Sequence, residues 1–236
     1  MNDIRENLAF VRDEIVRACE RAGRDPKGVR LIAVSKTKPV ADMIRAFDEG
    51  VRDFGENYVQ EIVEKYDELP VGASIHMIGH LQTNKVKKVI GRAVMIHSVD
   101  SVRLASEISK SASKLGIRSD ILLEVNIAAE RSKYGFLPEE LSDALCGMLG
   151  LPNIRIRGLM TSAPIVTDPE DNREYFRKMR GLLTEMRELM AKKGFSETEL
   201  PTELSMGMTG DFIPAVEEGA TMVRIGTAIF GERSYV

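Results

Sequence analysis

The sequence predicts an α/β fold, a single-domain (β/α)8 TIM barrel with an extra helix at its N-terminus, over residues 1–236. Three observations carry this. Eight short apolar segments alternate with stretches of helical period, the pattern of a parallel sheet covered on its outside. Eight such units in 236 residues suit a closed barrel better than an open sheet. No Gly/Pro/Ser-rich linker, low-complexity segment or repeat beyond the βα unit interrupts the series.

In order, Ile4, Leu8, Val11 and Ile15 recur at helical spacing, so residues 3–22 read as an amphipathic helix ended by Gly23 and Pro26. Leu31 to Lys36 is a buried strand by its apolar, β-branched run, and Pro39 suits the first turn of a helix over 40–50. A weaker strand at 52–56 precedes a helix at 57–68. Strands at 74–79 and 93–98 are followed by helices at 83–90 and 101–115. The clearest strand, 120–126, leads through a loop with Ser132-Lys133-Tyr134-Gly135 to a helix at 138–149. Strand 154–160 feeds a long helix at 171–193, in which Met179, Met186 and Met190 form a core stripe. Strand 203–206, helix 211–218 and strand 221–226 complete the series, with a short eighth helix after Gly226.

In such a barrel the chemistry lies at the C-terminal ends of the strands. One lysine, one arginine and many small hydrogen-bonding residues converge there. Lys36 stands where an apolar strand opens into a loop. Partial desolvation there would favour the neutral amine, which attacks aldehydes, whereas an ordinary strand-end lysine would only extend its head to solvent. Gly226 and Thr227 follow the last strand and open a helix, and Ser205-Met206-Gly207-Met208-Thr209 would face them. Free backbone N–H groups beside a glycine bind phosphate, and the loops after strands seven and eight are where this barrel usually places one; the alternative is that these glycines merely make tight turns. Arg224 lies two residues before Gly226 and points to the same side of its strand, toward the mouth, unless a strand-end acid such as Glu56 claims it as a salt bridge. A lysine for a Schiff base, a phosphate cup and a side chain for a pyridine nitrogen together match a pyridoxal 5'-phosphate (PLP) site.

Six ordered stretches make a more specific case. Ala33-Val34-Ser35-Lys36-Thr37-Lys38-Pro39, Phe54-Gly55-Glu56-Asn57-Tyr58-Val59-Gln60-Glu61 and His76-Met77-Ile78-Gly79-His80-Leu81-Gln82-Thr83-Asn84-Lys85 lie in the first half. Gly158-Leu159-Met160-Thr161, Leu204-Ser205-Met206-Gly207-Met208 and Val223-Arg224-Ile225-Gly226-Thr227-Ala228-Ile229-Phe230-Gly231 lie in the second. Over essentially its whole length the chain resembles the pyridoxal phosphate homeostasis proteins, similar in fold to the barrel domain of bacterial alanine racemase. The resemblance implies that Lys36 carries the cofactor, that Arg224 faces its pyridine nitrogen, and that Ser205, Gly226 and Thr227 hold the phosphate. Asn57 and Met206 would line the pocket. Thr83 stands where a serine is common in that family. Ser132-Lys133-Tyr134-Gly135 matches a Ser-Lys-x-Gly loop of the family; Lys133 would either reach the mouth or remain a solvated loop lysine.

The resemblance also frames the function. Its first implication is a non-catalytic carrier that buffers PLP or delivers it, with apo-enzymes as recipients. The alternative is a PLP-dependent amino-acid racemase. That enzyme needs a second base, which in the resembled racemase is a tyrosine from a separate β-domain of a partner subunit. This chain ends at Val236 after the last barrel unit, and Tyr58, Tyr66, Tyr134, Tyr175 and Tyr235 have no obvious equivalent role. A permanently charged Arg224 would disfavour a proton on the pyridine nitrogen and so weaken the ring as an electron sink, although racemases share that arrangement. A third reading is a phosphate-binding metabolic barrel without PLP.

Composition bounds the remaining partners. A formal net charge of −3 gives no electrostatic reason to expect nucleic acid or a membrane surface. Lys85-Val86-Lys87-Lys88 is too short for a nucleic-acid patch and reads as a solvated helix face. Cys19 and Cys146 make neither a metal spacing nor a disulfide framework, which together with a charged N-terminus lacking a signal-peptide core predicts a cytoplasmic protein. No apolar run is long enough to span a bilayer. His76 and His80 are four apart on a strand and its following loop, with no third ligand, so no metal is expected; His97 reads as a satisfied strand residue. A monomer is expected.

Overall fold

The computed structural model describes residues 3–232. The first two residues and residues 233–236, with Tyr235 and Val236 among them, lie outside the described part. The order is α1 (Ile4–Arg21), β1 (Arg30–Val34), α2 (Val40–Asp48), β2 (Asp53–Glu56), α3 (Val59–Lys65), β3 (Ser74–Met77), α4 (Val86–Val89), β4 (Ala93–Val99), α5 (Val102–Lys114), β5 (Ser119–Glu124), α6 (Leu141–Met148), β6 (Ile154–Met160), α7 (Arg173–Lys192), β7 (Glu203–Met208), α8 (Phe212–Glu217), β8 (Met222–Ile225) and α9 (Thr227–Phe230).

The eight strands close in sequence order, each parallel to its neighbours, with β1 pairing both β2 and β8. This is the (β/α)8 barrel that the alternation predicts. Strand alternation sends residues to two cores. Ile32, Met95, Leu122, Met160 and Met222 pack inside the barrel, while Ala33, Phe54, Ile96, Leu123 and Val223 face outward under the helices. The N-terminal helix α1 starts at an Asp3 cap, whose side chain accepts from Arg5 N at 2.9 Å. It buries Ile4, Leu8, Val11, Ile15 and Ala18, and it is tied to the neighbouring α9 by the Asn7 Nδ2 bond to Ile229 O at 2.9 Å.

Strand ends differ from the sequence expectation where loops take over backbone bonds. β1 stops at Val34, not Lys36, because the chain turns: Lys38 N donates to Ser35 O at 3.0 Å and Thr37 adopts φ 63°. β5 stops at Glu124, and Asn126 N donates instead to Phe136 O at 2.9 Å. β7 runs on to Met208, two residues past the expected end, through a register shift against β8. The segment after Gly226 is a single helical turn. Residues 83–90 form a 3₁₀ turn followed by the one-turn α4.

Candidate cofactor site

The turn that carries Lys36 is braced from behind. Val34 and Lys36 point to the barrel mouth, so the intervening Ser35 points outward, where its Oγ donates to Glu56 Oε1 at 2.7 Å. The buried Lys65 ammonium donates to Ser35 O at 2.9 Å, Glu56 Oε1 at 2.8 Å and Glu61 Oε2 at 2.5 Å. Glu61 Oε2 in turn accepts from Thr37 N at 2.8 Å. Burial pushes the Glu56 carboxyl above its ordinary range, with Lys65 pulling back. Lys38 is spent elsewhere: its ammonium donates to Phe230 O and Glu232 O, both at 2.9 Å, and ties the end of α9 to this loop.

A cavity of about 290 Å³ opens at the C-terminal end of the barrel. Lys36 enters it after β1, Asn57 after β2, Ser162 after β6, Met208, Thr209 and Gly210 at the end of β7, and Arg224, Gly226 and Thr227 from β8 and the start of α9. Val34 and Ile78 supply apolar wall. Five of the seven residues picked from the sequence therefore meet on one cavity: Lys36, Asn57, Arg224, Gly226 and Thr227. Ser205 and Met206 do not line it. Since β7 continues to Met208, both are still inside the strand, Ser205 facing the barrel interior and Met206 the outer core. The loop residues at the cavity are Thr209 and Gly210 instead.

That β7 loop is shaped by Asp211. Its Oδ1 accepts from Met208 N at 2.7 Å, its own N–H donates to Met208 O at 3.0 Å, and its Oδ2 accepts from Asn172 Nδ2 at 2.9 Å. The turn thus uses the N–H groups of Met208 and Asp211 but not those of Thr209 and Gly210, which line the cavity. Across from them, Thr227 and Ala228 begin α9, where the first N–H groups have no intrahelical acceptor. A side chain at Gly226 would crowd β1, its Cβ lying 3.2 Å from Val34 O and 3.3 Å from Val34 Cβ.

Arg224 forms the floor and is 4% exposed. Nη1 donates to Ser205 O at 2.7 Å and Ser205 Oγ at 2.8 Å; Nη2 donates to Thr161 O at 2.8 Å and Ser162 Oγ at 3.3 Å. Glu56 is not its partner, being held by Lys65 and Ser35 on the other face of the sheet. Burial lowers the guanidinium pKa to about 10, against the pull of Asp211 and Glu124, so the group remains charged at neutral pH. One residue not singled out in the sequence, Glu124, shares the inward face of β5 with Leu122. Its carboxyl is raised to about 7, first by burial and then by Asp100, with Arg224 opposing, and its Oε2 has no hydrogen-bond partner among the described residues. Counting the period from Leu122 would have placed it at the mouth. Asn57 Oδ1 is likewise buried without a partner among the described residues. Lys133 does not line the cavity: partly exposed, it pairs with Glu130 at 2.7 Å and donates to Ser162 O and Ala163 O, both at 3.2 Å. His80 pairs with Asp100 at 3.1 Å and stacks on Tyr134, ring centroids 3.7 Å apart.

Residues 7–234 match the family model described as alanine racemase, N-terminal domain. The pyridoxal phosphate homeostasis protein of Aquifex aeolicus is 46% identical over 98% of this chain and 98% of its own. That of Escherichia coli K12 is 41% identical over 100% of this chain and 99% of its own. The structure of PipY from Synechococcus elongatus PCC7942, solved with PLP bound, superposes with a TM-score of 0.81 at 36% identity, covering 97% of this chain and 100% of that one. With relatives of this identity matched along nearly their full length, on a barrel of the same fold, the chain belongs to the pyridoxal phosphate homeostasis protein family, within the alanine racemase N-terminal domain class.

Proposed function

We propose that this protein binds PLP reversibly on Lys36 and buffers or delivers it, without turning over amino acids. One observation carries the reading: Lys36, the buried Arg224 and the Thr209-Gly210 and Gly226-Thr227 segments line one cavity of about 290 Å³, near the lower end of the roughly 300–1,000 Å³ typical of small-ligand sites. The donor set fits the group. Thr209, Gly210, Gly226 and Thr227 offer N–H groups and hydroxyls to a phosphate. Arg224 offers a fixed charge to the ring nitrogen, and Asn57 Oδ1 is an acceptor awaiting a donor. PLP supplies an aldehyde that a lysine amine holds covalently and releases by exchange with another amine. Arg224 only donates and keeps its charge, so it disfavours a proton on the ring nitrogen and leaves the ring a weak electron sink. A weak sink suits release to apo-enzymes, but racemases share it, so the turnover assay below separates the two readings.

The setting is a reducing cytoplasm and the acting unit a single-domain monomer. In support, Cys19 and Cys146 are free thiols, and among the described residues no helix is long and apolar enough to cross a membrane.

Borohydride reduction of the PLP-loaded protein followed by peptide mapping tests the attachment. The pyridoxyl group should sit on Lys36; recovery mainly on Lys38, Lys85 or Lys133 would overturn it. Deuterium wash-in at Cα of alanine, serine, glutamate and lysine, with chiral analysis, tests the absence of turnover. Exchange on the order of 1 s⁻¹ or faster, the range of ordinary enzymes, would restore the racemase.

A further inference from the structure

Behind the cavity floor, five side chains from five strands form one unbroken file through the barrel. Arg224 Nη1 is 2.8 Å from Ser205 Oγ, Ser205 Oγ is 2.9 Å from His97 Nδ1, His97 Nε2 is 2.9 Å from His76 Nδ1, and His76 Nε2 is 2.9 Å from Asp53 Oδ1. His76, His97 and Ser205 are fully buried. Asp53, the first residue of β2, reaches the opposite, N-terminal end of the barrel, where its side chain is 22% exposed. The imidazoles meet edge to face, at 77° with centroids 5.1 Å apart, so that a nitrogen of one addresses a nitrogen of the other.

The two ends determine every proton between them. A guanidinium only donates and a carboxylate only accepts. Arg224 therefore donates to Ser205 Oγ, and the single serine proton goes on to His97 Nδ1. His97 must then carry its proton on Nε2 and donate it to His76 Nδ1. His76 in turn carries its proton on Nε2 and donates to Asp53. All five groups are satisfied with both imidazoles neutral. The reverse order needs a doubly protonated His76 and a His97 protonated on Nδ1. Two donors would then aim at Ser205 Oγ, and the serine proton would lose its acceptor in the file. Burial, with the Arg224 and Arg30 charges nearby, also holds the His97 pKa well below the usual histidine range, in keeping with the neutral form.

We propose that Asp53, His76 and His97 are positioning residues for Arg224, acting through Ser205 as a one-way hydrogen-bond chain that crosses the barrel to the cofactor-facing guanidinium. Among the described residues Arg224 has no carboxylate in direct contact; its polar partners are carbonyls and hydroxyls of Ser205, Thr161 and Ser162. The chain answers its charge with that of Asp53 at the far end of the barrel and fixes the plane of the guanidinium. A direct ion pair at the mouth would instead partly neutralise the charge presented to a ligand. The effect on PLP rests on the function proposed above; the direction of the chain does not.

The test uses the full-length protein. It has three histidines, and His80 is exposed, so it serves as the internal reference. In ¹⁵N-histidine-labelled protein without cofactor at pH 7, His76 and His97 should both appear neutral and protonated on Nε2. A proton on His97 Nδ1, or an imidazolium at either residue, overturns the chain. PLP binding is then followed by visible absorbance. Asp53→Ala and His97→Leu should each weaken binding about tenfold and shift the absorbance maximum, the loss of one hydrogen bond in a charged network. His97→Gln, whose amide can accept from Ser205 and donate to His76, should stay within about threefold of the parent, well short of a full hydrogen-bond loss. Equal losses in His97→Leu and His97→Gln, or none in Asp53→Ala, would show that these residues only fill the barrel. If the parent protein itself fails to bind PLP, the proposed function falls, and the histidine spectrum still decides the chain.

Discussion

Ionisation of Glu124 should destabilise the fold as pH rises. The residue ends β5 on the inward face, Asp100 and Arg224 act on its carboxyl, and its Oε2 has no partner. Its pKa is raised from 4.5 to about 7, chiefly by burial. A carboxyl raised on folding stabilises the native state while it is protonated. That contribution is fully present below pH 4.5 and is lost as pH climbs through about 7. At roughly 1.4 kcal/mol per pH unit the loss totals about 3 kcal/mol. Glu124→Gln keeps the shape of the neutral acid and cannot ionise. Urea unfolding at half-unit steps from pH 4.5 to 8.5 should therefore show wild type losing about 3 kcal/mol more than the variant across the window. Their stabilities should agree near the acid end, and the variant should be the more stable protein above pH 8. All other titrating groups are common to both proteins and cancel in the difference. Parallel curves would show that the Glu124 carboxyl finds solvent or a donor in solution, and would refute its placement as an unpartnered acid at the mouth.

Three further outcomes follow. Thr227→Ala should weaken PLP binding by about 1–2 kcal/mol, one charge-assisted hydrogen bond, while barely affecting unphosphorylated pyridoxal in the same titration; equal losses for the two ligands would place the phosphate elsewhere. Gly79→Ala should displace the Asn57 loop, because the added Cβ would lie 2.4 Å from Asn57 O and 2.7 Å from Asn57 Cα; unchanged cofactor affinity would show that Asn57 does not need that position. Lys65→Met strands the buried Glu56 carboxylate and should destabilise the fold by about 3–5 kcal/mol at pH 8, with partial recovery in the Lys65→Met/Glu56→Gln double variant; a loss under about 1 kcal/mol, the scale of an exposed pair, would show the cluster to be solvated.

The barrel and most of its mouth were legible in the sequence because both rest on local rules. Apolar runs such as Ile121 to Leu123 and Leu31 to Val34 declare strands by composition, and alternation with helical periods declares their order. Period-two geometry put Arg224 and Gly226 on one side of their strand, and the end of an apolar run singled out Lys36, without any tertiary information. Where each strand stops is another matter, since the last backbone bonds depend on partners far away in the chain. Asp211 caps Met208 and a register shift against β8 extends β7, which keeps Ser205 and Met206 inside the strand and brings Thr209 and Gly210 to the cavity. Lys65 and Glu61 brace the Lys36 turn from α3, 24 residues beyond Thr37 in the case of Glu61. The file from Asp53 to Arg224 joins strands two, three, four, seven and eight, and it exists only because closure brings opposite walls of the barrel within hydrogen-bond reach. Composition and periodicity determined the fold and which way each strand residue points. Closure of the sheet decided which buried polar groups meet, because a hydrogen bond depends on distances that the local pattern does not contain.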